Sequence, residues 1–116
     1  MAKLFLETYM GLHESRIGHM PLTCNPGMRN HEFTIPTDAS AQSGFELVVG
    51  ENIIRCLPRA NCGIYFKGWA QGKTEADSTS TSPVTTLTSN ASEYFCTPDR
   101  RDEWYNVKMF VINDRS

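Results

Sequence analysis

From His31 onward the apolar residues come in seven short runs, each closed by Gly, Pro, Asn, Asp or Ser. The runs are His31 to Ile35, Phe45 to Val49, Ile53 to Leu57, Gly63 to Lys67, Val84 to Thr88, Glu93 to Thr97 and Trp104 to Ile112. None is long enough, or spaced at the helical period, to bury one face of an α-helix. Short runs at this spacing predict strands of a sandwich or barrel. In the last run Val107, Met109 and Val111 fall on one face and Lys108, Phe110 and Ile112 on the other. Apolar side chains on both faces predict a central strand covered on two sides, or one at a subunit interface. Pro58 to Asn61 has turn chemistry and predicts a hairpin between the third and fourth runs.

Between the strands lie segments of different character. Thr37 to Gly44 is small and polar, and Gln71 to Pro83 holds no bulky apolar residue. The second predicts an exposed, mobile loop. Asn90 to Ser92 predicts a turn, and Asp99 to Glu103 a solvated charged loop. Residues 1–30 carry Gly11, Gly18, Pro21 and Pro26 among scattered Leu, Ile and Met, and do not join the strand pattern. They read as an extended N-terminal arm lying on the domain or on a neighbouring subunit. The expected organisation is all-β: a small antiparallel β-sandwich or jelly-roll-like domain over 31–116, preceded by the arm over 1–30.

The chain has 116 residues, enough for one domain. Its net charge of −2, with eleven basic residues scattered along it, argues against nucleic acid as a partner. No segment is apolar enough to span a bilayer, and Glu7 interrupts the short apolar start, which reads as mature protein made in the cytoplasm. In a reducing cytosol Cys24, Cys56, Cys62 and Cys96 are expected as free thiols, the last three as small buried hydrophobes.

The candidate chemistry is thin. His13, His19, Cys24 and His31 are zinc-ligand types, but their spacing lacks any compact ligand pair, so no metal is expected. Glu75 with Asp77, and Asp102 with Glu103, sit in polar loops where a carboxyl group keeps its ordinary pKa and serves poorly as a general acid. Gly72-Lys-Thr74 ends like a phosphate loop, but the glycine required five residues upstream is Lys67. Asn90-Ala-Ser92 is a glycosylation sequon with no secretory signal to give it meaning. Trp69 and Trp104 flank loops, where they serve either as core plugs or as the platform of a small carbohydrate-binding module. No catalytic residue and no cofactor are expected.

One stretch resembles a family. Phe33-Thr-Ile-Pro-Thr-Asp-Ala-Ser-Ala-Gln42 looks like the opening of small structural proteins of tailed-bacteriophage virions. Glu51-Asn-Ile-Ile-Arg55, then Asn61-Cys-Gly-Ile-Tyr-Phe66 with Gly68, resembles their next two strands. Ser92-Glu-Tyr-Phe95 and Val107 to Ile112 resemble their later ones. The likeness runs from 33 to 112; residues 1–30 and the insert Asp99 to Glu103 depart from it. It implies a sandwich domain, often trimeric, on a phage head, neck or tail, with no catalytic residues.

The resulting expectation is a capsid decoration or cement protein of the virion, binding the major capsid protein or other virion proteins. The alternative is a neck, tail or fibre-anchoring component. Leu4, Phe5, Leu6, Tyr9, Leu12 and Ile17 of the arm are expected to touch the partner. Removal of residues 1–30 should then abolish binding and leave the domain folded.

Overall fold

The computed structural model describes residues 2–9, 12–15, 18–23, 29–38, 43–77, 79–98 and 102–113; of 12–15, 18–23 and 43 only the backbone is described. Among the described residues eleven strands follow in chain order: β1 (Lys3–Tyr9), β2 (Leu12–Ser15), β3 (Gly18–Thr23), β4 (Arg29–Thr34), β5 (Ser43–Leu47), β6 (Ile53–Pro58), β7 (Cys62–Trp69), β8 (Ser80–Thr81), β9 (Thr85–Leu87), β10 (Glu93–Cys96) and β11 (Asn106–Asn113). A 3-10 turn occupies Asp102–Trp104.

The fold is all-β and sandwich-like. One sheet has the order β10-β6-β1-β4, the other β5-β11-β7-β8, with β9 also on β7. All the pairings are antiparallel. A separate two-stranded sheet joins β2 to β3. Strand alternation places Leu4, Leu6, Phe33, Ile54 and Cys56 on the inner face of the first sheet. Leu47, Ile64, Phe66, Leu87, Val107, Met109 and Val111 lie on the inner face of the second. Together they form one buried cluster. Close-packed side chains from both sheets supply most of the hydrophobic driving force, at about 25 cal/mol per Å² of apolar surface removed from water.

The N-terminal segment departs from expectation. Residues 3–9 are not an arm: β1 lies inside the first sheet, with Leu4 paired to both Phe33 and Pro58. Leu4 and Leu6 are 0% and 1% exposed, and Tyr9 is buried as well. Leu4 and Leu6 are core and closed to a partner while the domain is folded, whereas Tyr9 is covered on the outer face of the sheet, beside Glu7 and Tyr94. Phe5, on the opposite face of β1, keeps 39% of its surface in solvent. Leu12 falls in β2, whose side chains are not described, and Ile17 lies outside the described residues. The reason is alternation. Lys3-Leu-Phe-Leu-Glu-Thr-Tyr is a strand sequence with every second residue inward, and the sheet needs it between β4 and β6.

Nor do β6 and β7 form a hairpin. They belong to different sheets, and Pro58 to Asn61 carries the chain from one to the other. Each is nearly buried along its length and takes other partners on both edges: β1 and β10 for β6, β11 with β8 and β9 for β7. Arg59 N–H donates to Lys3 O at 2.8 Å, and Asn90 N–H to Pro58 O at 2.7 Å, so the crossing is tied to β1 and to the turn after β9. Asn90 holds φ at 62°, which asparagine tolerates.

β11 is central, between β5 and β7, as its two apolar faces predict. On its outer side Tyr65 and Phe110 stack at 5.2 Å and are buried with Ile112. The described residues of 71–83 are mostly exposed, as expected, but the segment is tied to the sheet. Its β8 pairs with β7, and half-buried Glu75 reaches Lys108 at 3.6 Å.

Candidate partner-contact surface

Thr8, on the inner side of β1, faces the start of β4 at Arg29 and the link between β5 and β6. That link carries Glu51, whose carboxylate is wholly buried. Arg29 donates to it twice, Nε to Oε2 at 2.9 Å and an Nη to Oε1 at 2.5 Å. The Thr8 hydroxyl donates to Oε2, and the Val48 N–H to Oε1 at 2.7 Å. Burial pushes the Glu51 pKa up. The hydrogen bonds from Arg29, Thr8 and Val48, with the nearby guanidinium charge, outweigh it and hold the carboxyl below its usual range. Arg29 also donates to Glu46 O at 2.8 Å, and its guanidinium lies 4.3 Å from the Phe45 ring centre. His31 stacks on the same ring at 4.3 Å. Arg29 and His31 come from one sheet and Phe45 from the other, so this cluster locks two sheet edges together.

Above the buried carboxylate the backbone turns sharply. Glu51 N–H donates to Val48 O at 3.1 Å, and Asn52 N–H to Tyr9 O and Gly50 O, both at 3.0 Å. Gly50 adopts φ of 99°, open to glycine and strained for other residues. Thr97 closes the far side, its N–H on Asn52 O at 2.9 Å and its hydroxyl on Glu51 O at 3.0 Å. The result is a rigid turn that presents Val48 and Val49 to water, 46% and 69% exposed. The chain leaves β1 at Tyr9 and re-enters β4 at Arg29 at this same end, with the β2–β3 sheet between them in sequence. Two adjacent exposed valines held by a buried ion pair form a small apolar surface that is already ordered in the free protein.

A second exposed surface is the outer face of the first sheet. There the Tyr9 hydroxyl donates to Glu7, and Arg55 lies 3.4 Å from the same carboxylate. The bond to Glu7, then burial and the negative charge, push the Tyr9 hydroxyl up to about 12. Tyr94, 55% exposed, lies 6.4 Å from the Tyr9 ring. Arg59 bonds Asn90 Oδ1 at 3.0 Å and sits 5.9 Å from the Phe5 ring centre.

The other residues singled out by sequence fall elsewhere. Trp69 is buried, and Trp104 is half-buried against Gly68, where an added Cβ would meet its ring at 2.2 Å. Both tryptophans are plugs at strand ends, and neither offers an open platform. Cys56, Cys62 and Cys96 are in no disulfide; the first two are buried, but Cys96 is exposed on β10. Of the four zinc-type residues, only His31 has a described side chain, and it is stacked on Phe45. Asp77, Asp102 and Glu103 are solvated, and Glu75 is committed to Lys108. The hub itself was invisible to motif reasoning, because Arg29 and Glu51 are 22 residues apart. No known family model, no curated protein and no solved structure matches the chain.

Proposed function

We propose that this chain is a non-enzymatic structural protein of a tailed-phage virion: a capsid decoration or cement protein that stabilises the head by binding the major capsid protein. The observation that supports it best is the Val48–Val49 turn, exposed apolar surface held rigid by a wholly buried carboxylate. A protein that works by interface area gains affinity from a preformed apolar contact, because nothing there must be ordered on binding. The sequence likeness over 33–112 supplies the virion setting, and the sandwich fold is of the kind that likeness implies. Neck, tail or fibre attachment would use the same surface. Self-association into a trimer belongs to the proposal, with symmetry matching that of a shell.

The test is co-sedimentation of the full chain with empty heads assembled from the same phage's major capsid protein. The double variant Val48→Asp with Val49→Asp leaves the core untouched and should reduce bound protein at least about tenfold, since charges replace an apolar contact. Heads that do not retain the unaltered protein would refute the decoration reading. Retention unaffected by the double variant would show that another surface makes the contact.

A further inference from the structure

Beside that contact surface, and separate from it, the outer side of β1 and β4 carries an open groove of about 440 Å³ lined by Phe5, Leu6, Glu7, Asn30, His31 and Glu32. The register explains its shape. Phe5 stands opposite Glu32 and Glu7 opposite Asn30, so these four outward side chains mark the corners of a rectangle. Leu6, paired with His31 between them, is buried on the inner face, and His31 turns inward onto Phe45, so backbone forms the floor. One corner is an aromatic ring, 39% exposed, with the Arg59 guanidinium over it at 5.9 Å from the ring centre, and the other three are hydrogen-bonding groups.

The charges around the groove are answered locally. Lys3 lies 4.0 Å from Glu32 and bonds Thr34 at 2.9 Å, while Arg55 lies 3.4 Å from Glu7. Each carboxylate oxygen can accept more than one hydrogen bond, so both acids retain capacity for hydroxyl donors. A ligand suited to this frame has one apolar face to lie on Phe5 and a periphery of hydroxyl groups. It carries no negative charge, which Glu7 and Glu32 would repel. A pyranose ring meets all three requirements: its axial C–H face packs on an aromatic ring, and its equatorial hydroxyls point at the flanking acids and amide.

We propose that the Phe5–Glu7 and Asn30–Glu32 groove binds a neutral pyranose residue of a glycan. Phe5 is the stacking platform, Asn30 and Glu32 bond ring hydroxyls, and Glu7, its carboxylate held by Arg55 and the Tyr9 hydroxyl, bounds the β1 side. The site does not include the Val48–Val49 turn, so the head-binding reading can fail without it, and it without that reading.

The experiment is titration of the full ¹⁵N-labelled chain with glucose, galactose, mannose and N-acetylglucosamine, followed by amide chemical shifts, with glucuronate as the anionic comparison. At least one neutral sugar should give saturable shifts at residues 5–7 and 30–32, with Kd on the order of 1–10 mM for so open a site. Glucuronate should bind more weakly. Phe5→Ala should weaken binding by about tenfold or more and Phe5→Tyr should retain it, since the stacking face is what matters. Asn30→Ala, at an exposed position that leaves the core intact, should weaken binding severalfold. No saturable shift with any of the four neutral sugars, shifts confined to other residues, or equal binding by Phe5→Ala would overturn the assignment.

Discussion

Arg29 and Glu51 form a two-pronged ion pair in which the carboxylate is wholly buried while the guanidinium side chain keeps 37% of its surface in solvent. The two halves of the pair are therefore unequal. Loss of Arg29 strands a buried charge, whereas loss of Glu51 frees a cation that can reach water. Arg29→Ala should destabilise the protein by about 3–5 kcal/mol. Glu51→Ala should cost less, about 1–3 kcal/mol, chiefly for the Val48 N–H and Thr8 hydroxyl left without an acceptor. Urea denaturation of both variants checks the order, and equal losses would contradict the asymmetry.

The placement of β1 makes a sharp contrast between neighbours. Leu6→Ala should cost about 2–5 kcal/mol, the range for emptying a packed core position. Phe5→Ala, on the exposed face, should cost about 1 kcal/mol or less. Removal of residues 1–30 takes out a strand with partners on both edges and should leave the remainder unfolded. Thermal melts followed by circular dichroism distinguish this from an arm, whose removal would leave the melt intact.

Acid should weaken the fold in two stages. Burial, and then the charge of Arg29, hold the His31 pKa below its ordinary 6.5 against a smaller opposing pull from Glu32. A group whose folded pKa is depressed contributes stability that is fully present above its unfolded value and lost as pH falls through the folded one. The first loss therefore begins below about 6.5 and belongs to His31. The second begins below the ordinary carboxyl value of 4.5, as Glu51 is driven toward protonation. His31→Phe should remove the first stage and leave the second. Stability measured from pH 8 to pH 3 reads both.

Gly68 owes its identity to Trp104. An added Cβ would sit 2.2 Å from Trp104 Cε3, so the indole must move, and it is half-buried against the core cluster. Gly68→Ala should cost about 1–3 kcal/mol, as overpacking does. Tryptophan emission should shift to the red as the ring is pushed toward water.

Much of the strand grammar was legible in the sequence. All seven runs expected from His31 onward overlap observed strands, because Gly and Pro punctuate the chain where the sheets end. β11 announced its central place through Phe110 and Ile112 on the face opposite Met109. The failures share a cause: each concerned which strands pair, and period-two patterning is silent about partners. Lys3 to Tyr9 alternates as well as any later strand, yet Gly11 and Pro21 nearby drew the whole segment into an arm. β6 and β7 flank good turn residues, but their edges were claimed by β1, β10 and β11. Of the surfaces, Phe5 was expected from sequence among the arm residues that touch a partner, and the structure shows it part-exposed on the outer face of β1. Its corner partners Asn30 and Glu32 needed the β1–β4 register.

The interior position of β1 bears on how the chain is made. β1 precedes both of its partners in the chain, so it must wait until Pro58 has emerged before both its edges are filled by β4 and β6. At about 5–20 residues per second, that leaves Leu4, Leu6 and Tyr9 unsheltered for several seconds. The central pairings span long stretches of chain, and folding dominated by such distant contacts is slow. Lys3 and Glu7, the charged residues on the outer face of β1, then have a role before the native state exists. They keep a nascent hydrophobic strand in solution until its neighbours arrive.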